Sequence, residues 1–294
     1  MIYQTGQAFR RALETRLLTQ STQEGVSLVR LRKMVAFDRF LARLLAAQVE
    51  HWLLKGGLAL QLRLGSRART TKDIDISLDL ARQNVGLVLT VAAAQDLGDW
   101  FHFNVRQNPD LLPGPADSNW RFSVTSLVDG RVFESFHIDV GLADSILEPA
   151  DVLTTPPLLT FAGIAPLTVP VYPLSQHLAE KVHAYIRPQP GGENTRVKDL
   201  VDMLLIADVG IVAAPALRAA IQATFTARGS KEPPTALPDP PATWATRYRS
   251  MAQDCGLAAT TLAQGMREVR AFLDPVLSDT TQGTWQPQQR IWLE

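Results

Sequence analysis

The sequence has a single cysteine, Cys255, which rules out an intramolecular disulfide framework and any multi-cysteine zinc site. It has no run of about 18 consecutive apolar residues, the length a transmembrane helix needs. The opening residues, Met1 to Arg16, lack the apolar centre of a secretory signal. Net charge is lacking too: 29 Lys and Arg balance 29 Asp and Glu. These absences point to a cytoplasmic protein with no membrane partner. Hydrophobic residues, at 46%, suffice for a sizeable core, and 294 residues favour two domains.

Charge is uneven along the chain. Residues 1–50 carry eight bases (Arg10, Arg11, Arg16, Arg30, Arg32, Lys33, Arg39, Arg43) against four acids. Helices are predicted over 7–20 and 26–50, and Arg32, Arg39 and Arg43 share one face of the second. Such a surface suits a polyanion, although solvated helix faces read equally well. Four of the five histidines, His51, His102, His177 and His183, form no spaced ligand set, and the six tryptophans read as core.

An α/β (α+β) fold is expected, with an N-terminal mixed sheet and helices over 1–155 and a mainly helical lobe over 156–294. Thr70–Leu78 alternates as a strand, with Ile74, Ile76 and Leu78 on one face and Asp73, Asp75 and Ser77 on the other. Residues 83–97 suggest a helix, 100–106 a strand and 108–118 a loop. Two strands, Trp120–Val128 and Arg131–Val140, flank the type I′ turn signal Asp129-Gly130. Residues 153–173 read as a connector with one short strand. Helices are predicted at 175–187, 196–209, 214–227 and 257–277, the last two separated by a proline-rich loop.

The chemistry concentrates in Lys55-Gly56-Gly57 and in Arg69-Thr70-Thr71-Lys72-Asp73-Ile74-Asp75. Glycines ahead of a helix let backbone N–H groups approach a phosphate. Asp73 and Asp75 stand about 6.5–7 Å apart at Cα on one strand face. Carboxylates so placed repel unless a cation lies between them. An alternative is an edge strand ending in two acids paired with Arg69 and Lys72.

The pattern KGG-x-x-L followed by R-T-x-K-D-x-D resembles the opening motif of the AbiEii/AbiGii (MenT-like) nucleotidyltransferase toxins of the DNA polymerase β-like superfamily. The resemblance implies a glycine loop for the triphosphate, with Lys55, Gly56, Gly57, Arg69 and Thr71 as nucleotide-binding candidates. It implies Asp73 and Asp75 as catalytic ligands of Mg²⁺ or Mn²⁺, with Asp139 as a third metal-binding acid. Asp139 otherwise reads as a solvent-facing residue closing the hairpin.

Ser175–Ala184 resembles the family's helix bearing an active-site lysine, here Lys181. Arg196–Asp202 resembles its R-x-K-D-x-x-D segment, giving Asp199 a catalytic and Asp202 a nucleotide-binding role. From the helix alone, Lys181 reads as a surface lysine paired with Glu180 or Glu193. Leu58 departs from the pattern, since relatives often carry Ser or Thr directly after the two glycines. The implied activity is transfer of a nucleotide from a nucleoside triphosphate to RNA, in particular the tRNA 3′ end, by a toxin with a cognate antitoxin protein. A kinase-like phosphotransferase and a catalytically silent RNA- or protein-binding member of the fold are the alternatives.

Overall fold

The computed structural model describes residues 2–49, 52–78, 85–107, 119–142, 146–187 and 196–294. By contact, the chain divides into two compact units. The first comprises Met1–Leu62, Thr70–Ala143 and Val152–Val171; the second comprises Arg63–Arg69, Asp144–Asp151 and Tyr172–Glu294. Sequence texture alone suggests one break after residue 155; the contacts give a discontinuous division. The loop expected at 108–118, His51 and Glu193 lie outside the described residues.

The first unit opens with α1 (Gly6–Glu24) and α2 (Leu28–Ala46). Thr5 caps α1 by accepting from the Ala8 amide, and Gly25 ends it in the left-handed region. Then follow β1 (Trp52–Lys55), α3 (Gly56–Leu64), β2 (Asp73–Leu78), α4 (Val85–Ala93), β3 (Phe101–Gln107), β4 (Asn119–Val128), β5 (Arg131–Leu142), β6 (Asp151–Thr154) and β7 (Thr168–Val171). The strands form one mixed sheet in the order β3-β4-β5-β2-β1-β7-β6. β2 is parallel to β5 and antiparallel to β1, so it lies inside the sheet and is not an edge strand.

Alternation decides the two faces of this sheet. Leu54, Ile74, Ile76, Phe122, Val124, Phe136, Ile138 and Val140 are all buried. Phe37 of α2 meets Phe136 edge-on at 5.0 Å between ring centroids, and Phe40 meets Phe103 at 5.3 Å. The acids of β2 and β5 occupy the opposite face. The hairpin turn is as the sequence predicts, with positive φ at both Asp129 and Gly130. The 153–173 connector contains its expected short strand as β7, with Val169 and Val171 alternating into the core, and also the end of β6.

The basic face expected on α2 is largely turned inward or paired. Arg43 is fully buried and donates to both carboxylate oxygens of Asp99, at 3.0 and 2.8 Å, and to the Phe101 carbonyl. Arg39 is buried beside Asp38, and Arg32 pairs with Glu14 at 2.5 Å. Arg10 donates to the carbonyls of Val128, Arg131 and Val132. Arg10 and Arg43 tie α1 and α2 to the sheet, and Arg32 ties the two helices to each other.

The second unit contains α5 (Leu174–Ile186), α6 (Val197–Val209), α7 (Ala214–Ala227), α8 (Ala245–Asp254) and α9 (Leu262–Leu277). It also holds a small sheet of β8 (Val212–Ala213), β9 (Thr284–Gln286) and β10 (Ile291–Leu293), ordered β10-β9-β8. Trp285 anchors that sheet, its indole N–H donating to the Ala207 carbonyl at 2.8 Å while its ring packs against Phe272. Among the described residues no helix is long and apolar enough to cross a membrane.

Candidate active site

Two constellations emerge, one in each unit. In the first, the register aligns Lys55, Asp75, Asp139 and Arg121 in one row across β1, β2, β5 and β4. Cross-strand partners share a face, so two acids stand side by side with a cation at each end. One step along, Asp73 pairs in register with His137, whose Nδ1 lies 3.3 Å from Asp73 Oδ1. Asp73, Asp75 and Asp139 are all half-buried. The structure thus brings the three sequence-predicted acids onto adjacent positions of one face.

β1 runs directly into α3 at Gly56, which has a φ of 63°. A Cβ built on Gly56 would collide with the Asp75 carboxylate. Only glycine allows this turn and this close approach together. Gly56→Ala is therefore expected to cost about 1–2 kcal/mol from backbone strain alone. By displacing Asp75 it should also lower transfer about a hundredfold. Urea unfolding and a transfer assay read the two effects separately.

Leu58 packs into the hydrophobic core at 1% exposure, so the position that departs from the family pattern faces apolar side chains. Thr71 is buried, and its hydroxyl donates to the Asp73 carbonyl at 3.1 Å, fixing the entry to β2. Arg69, a nucleotide-binding candidate, grips Asp202, another such candidate, through Nε and Nη2, at 2.9 and 3.1 Å.

That contact belongs to the second constellation. Lys181 on α5 is buried and places Nζ 3.0 Å from Asp199 and 2.8 Å from Asp202, both on α6. The three-residue spacing of Asp199 and Asp202 puts both on one helix face, so one ammonium meets both. Arg196 lies 2.8 Å from the other oxygen of Asp199. The surface-lysine alternative is overturned; Glu180 pairs with Arg228 instead.

Burial alone would strip the proton from Lys181, but Asp202 and Asp199 outweigh it and hold the ammonium charged, well above the usual lysine range. Burial likewise pushes the Asp202 carboxyl up, yet Lys181 and Arg69 together bring it down to about 2. Because the folded value lies below the ordinary 3.8, the stabilisation is complete above about pH 4 and is lost as pH falls towards about 2. The expected loss is about 2 kcal/mol. Urea midpoints at pH 5 and pH 2.5 should show this loss in the wild type and a smaller one in Asp202→Asn.

Arg121 is the participant that sequence reasoning missed. It donates from Nε and Nη2 to the two oxygens of Asp139, at 2.6 and 2.5 Å. That hydrogen-bonded pairing holds the guanidinium charged despite partial burial, and the charges of Asp73 and Asp75 reinforce it. A weak signal was present, since Arg121 lies on the other arm of the hairpin. Counting back from the turn, however, sets Trp120 opposite Asp139, and only the irregularity at Ser126/Leu127 shifts the register by one.

A mixed sheet carrying two acids of one strand beside a glycine-led helix is the arrangement expected of a nucleotidyltransferase. The sequence profile of the family described as nucleotidyl transferase AbiEii toxin, Type IV toxin–antitoxin system, matches residues 39–275. The chain belongs to this family and is a nucleotidyltransferase toxin, with a nucleoside triphosphate as substrate and an antitoxin as partner. No curated protein matches it.

Among solved structures, MenT4, a nucleotidyltransferase toxin from Mycobacterium tuberculosis H37Rv, shares the fold. Its TM-score is 0.54 at 19% identity, covering 92% of this chain and 98% of that one. A putative nucleotidyltransferase from Helicobacter pylori is less similar (TM-score 0.44, 15% identity, 84% and 95% covered). So is JHP933 from the same species (0.45, 13%, 84% and 92%).

The family generally uses a divalent cation. Carboxylate oxygens are the donors a hard cation takes, and Asp73, Asp75 and Asp139 supply them on adjacent register positions. Among the described residues no group of three or more His, Cys, Asp or Glu side chains is placed to hold a metal ion. Asp139 is turned to Arg121, which donates to both of its carboxylate oxygens.

Proposed function

We propose that the protein transfers a nucleoside monophosphate from a nucleoside triphosphate to an RNA acceptor, the tRNA 3′ end, in the cytoplasm. The observation that carries this reading is the Asp73 and Asp75 pair on the polar face of β2, with Gly56 seated against Asp75. In the transfer, an acceptor hydroxyl oxygen bonds to the α-phosphorus, the α–β bridging bond breaks, and pyrophosphate leaves.

Asp73 and Asp75 would hold Mg²⁺ or Mn²⁺, whose charge offsets that of the triphosphate. The first-turn amides of α3 donate to phosphate oxygens, aided by the positive end of the helix dipole. Lys55, next to Asp75 in register, adds a cation on the same face. For Lys181, Asp199 and Asp202, the family pattern supports a role in the same reaction, with Lys181 as the cation for developing phosphate charge and the two aspartates holding it protonated.

The polar face of β3–β5 supports the acceptor reading. His102, Asn104, Arg106, Ser123 and His137 are exposed there, and Arg106, Ser123, His137 and Asp73 follow one another in register. Side chains of this kind suit phosphates and sugar hydroxyls. A cognate antitoxin protein restrains the activity in the cell.

The test is incubation of the purified chain with each α-labelled nucleoside triphosphate, Mg²⁺ or Mn²⁺, and tRNA. Label should enter intact tRNA and not tRNA whose 3′ diol has been oxidised with periodate. Equal labelling of oxidised tRNA would exclude the 3′ end, and no labelling of any RNA would exclude the acceptor class.

A further inference from the structure

The row of Lys55, Asp75, Asp139 and Arg121 contains a device that the reaction outlined above does not use. Asp75 and Asp139 are direct neighbours in register on parallel strands, a placement in which two carboxylates repel. Arg121 relieves that repulsion by gripping both oxygens of Asp139, at 2.6 and 2.5 Å. Its side chain is 40% exposed and that of Asp139 21%, so the pair sits at the surface of the face rather than locked in the core. A planar fork on a carboxylate satisfies both oxygens at once, and the same fork matches a phosphate.

We propose that Arg121 is a resident counter-cation that holds Asp139 out of the ligand set and releases it only when a divalent cation competes for the carboxylate. This rests on the reading of Asp73 and Asp75 as cation ligands. The grip lowers the affinity of the bare site for a metal ion, so a cation arriving with its triphosphate is favoured over a free one. On release, the guanidinium stands one strand from Asp139 and two from Asp75. Arg121 is a positioning residue that acts through Asp139.

The experiment follows Mn²⁺ binding to the full chain by the electron paramagnetic resonance signal of free Mn²⁺, with and without a non-hydrolysable triphosphate. Arg121→Gln is expected to bind Mn²⁺ alone about tenfold more tightly than the wild type, because a competing cation has gone. Asp139→Asn should bind more weakly. In that background the Arg121→Gln gain should shrink below about twofold, since the two residues are coupled. Arg121→Lys keeps the charge without the fork, so it should fall between wild type and Arg121→Gln; it also serves if the Gln variant folds poorly.

Unchanged or weaker Mn²⁺ binding in both Arg121 variants would overturn the proposal. So would a gain that persists in Asp139→Asn, because Arg121 would then act as a diffuse charge. Mn²⁺ binding that does not depend on Asp73 would overturn the cation reading beneath it, an outcome distinguished by including Asp73→Asn in the series.

Discussion

Asp73→Asn is expected to reduce nucleotide transfer about a thousandfold or more, the scale on which losing a charged ligand acts in phosphoryl chemistry. The side chain is half-buried on the polar face of β2 and lies 3.3 Å from Nδ1 of His137. Its removal leaves the core untouched, because Ile74 and Ile76 point the other way. It also relieves repulsion with Asp75. Stability should therefore stay within about 0.5 kcal/mol of the wild type. A fall in activity with an unchanged melting curve marks a chemical role. Full activity in this variant would place the site elsewhere.

Asp202→Ala should do the opposite in kind, unfolding the protein before its chemistry can be judged. Asp202 is completely buried and receives Lys181 at 2.8 Å and Arg69 at 2.9 and 3.1 Å. Deleting it removes one of the two carboxylates that hold Lys181 and the one that Arg69 grips through two nitrogens. Removing one partner of a buried ion pair typically costs about 3–5 kcal/mol, because the remaining charge stays desolvated. Urea unfolding should show a drop of that order, and Asp202→Asn, which keeps the volume and some hydrogen bonding, a smaller one. A change below about 1 kcal/mol would mean that the network is solvated and contributes little.

These two outcomes separate the roles of the constellations. The carboxylates of β2 are held by the strand and leave the core intact when changed. Those of α6 are part of the second unit's interior, and their negative charges hold Lys181 protonated against the effect of burial.

Much of this was legible in the residues. The alternation through Asp73–Leu78 fixes which side chains share a face, and a two-residue Asp-Gly turn fixes the hairpin. Both follow from local geometry. What escaped was non-local. The arginines of α2 read as an exposed basic stripe, because nothing near them in sequence reveals that Asp99 and the Phe101 carbonyl receive Arg43. Arg121 escaped because the hairpin irregularity changes its register against Asp139. The helix α8 and strands β8, β9 and β10 were missed because each is short and takes its stability from packing. The Trp285 bond to Ala207 is one such contact. For Lys181, periodicity favoured a surface residue, and only the pairing with Asp199 and Asp202 explains how an ammonium is buried.

The central claim is that the acids of β2 direct attack to the α-phosphorus. Its most direct measurement is the identity of the leaving group when the chain turns over a triphosphate labelled at both the α and γ positions. The account predicts γ label in pyrophosphate and α label in the acceptor, both abolished by Asp73→Asn. Release of a nucleoside diphosphate with γ label in the acceptor would contradict it.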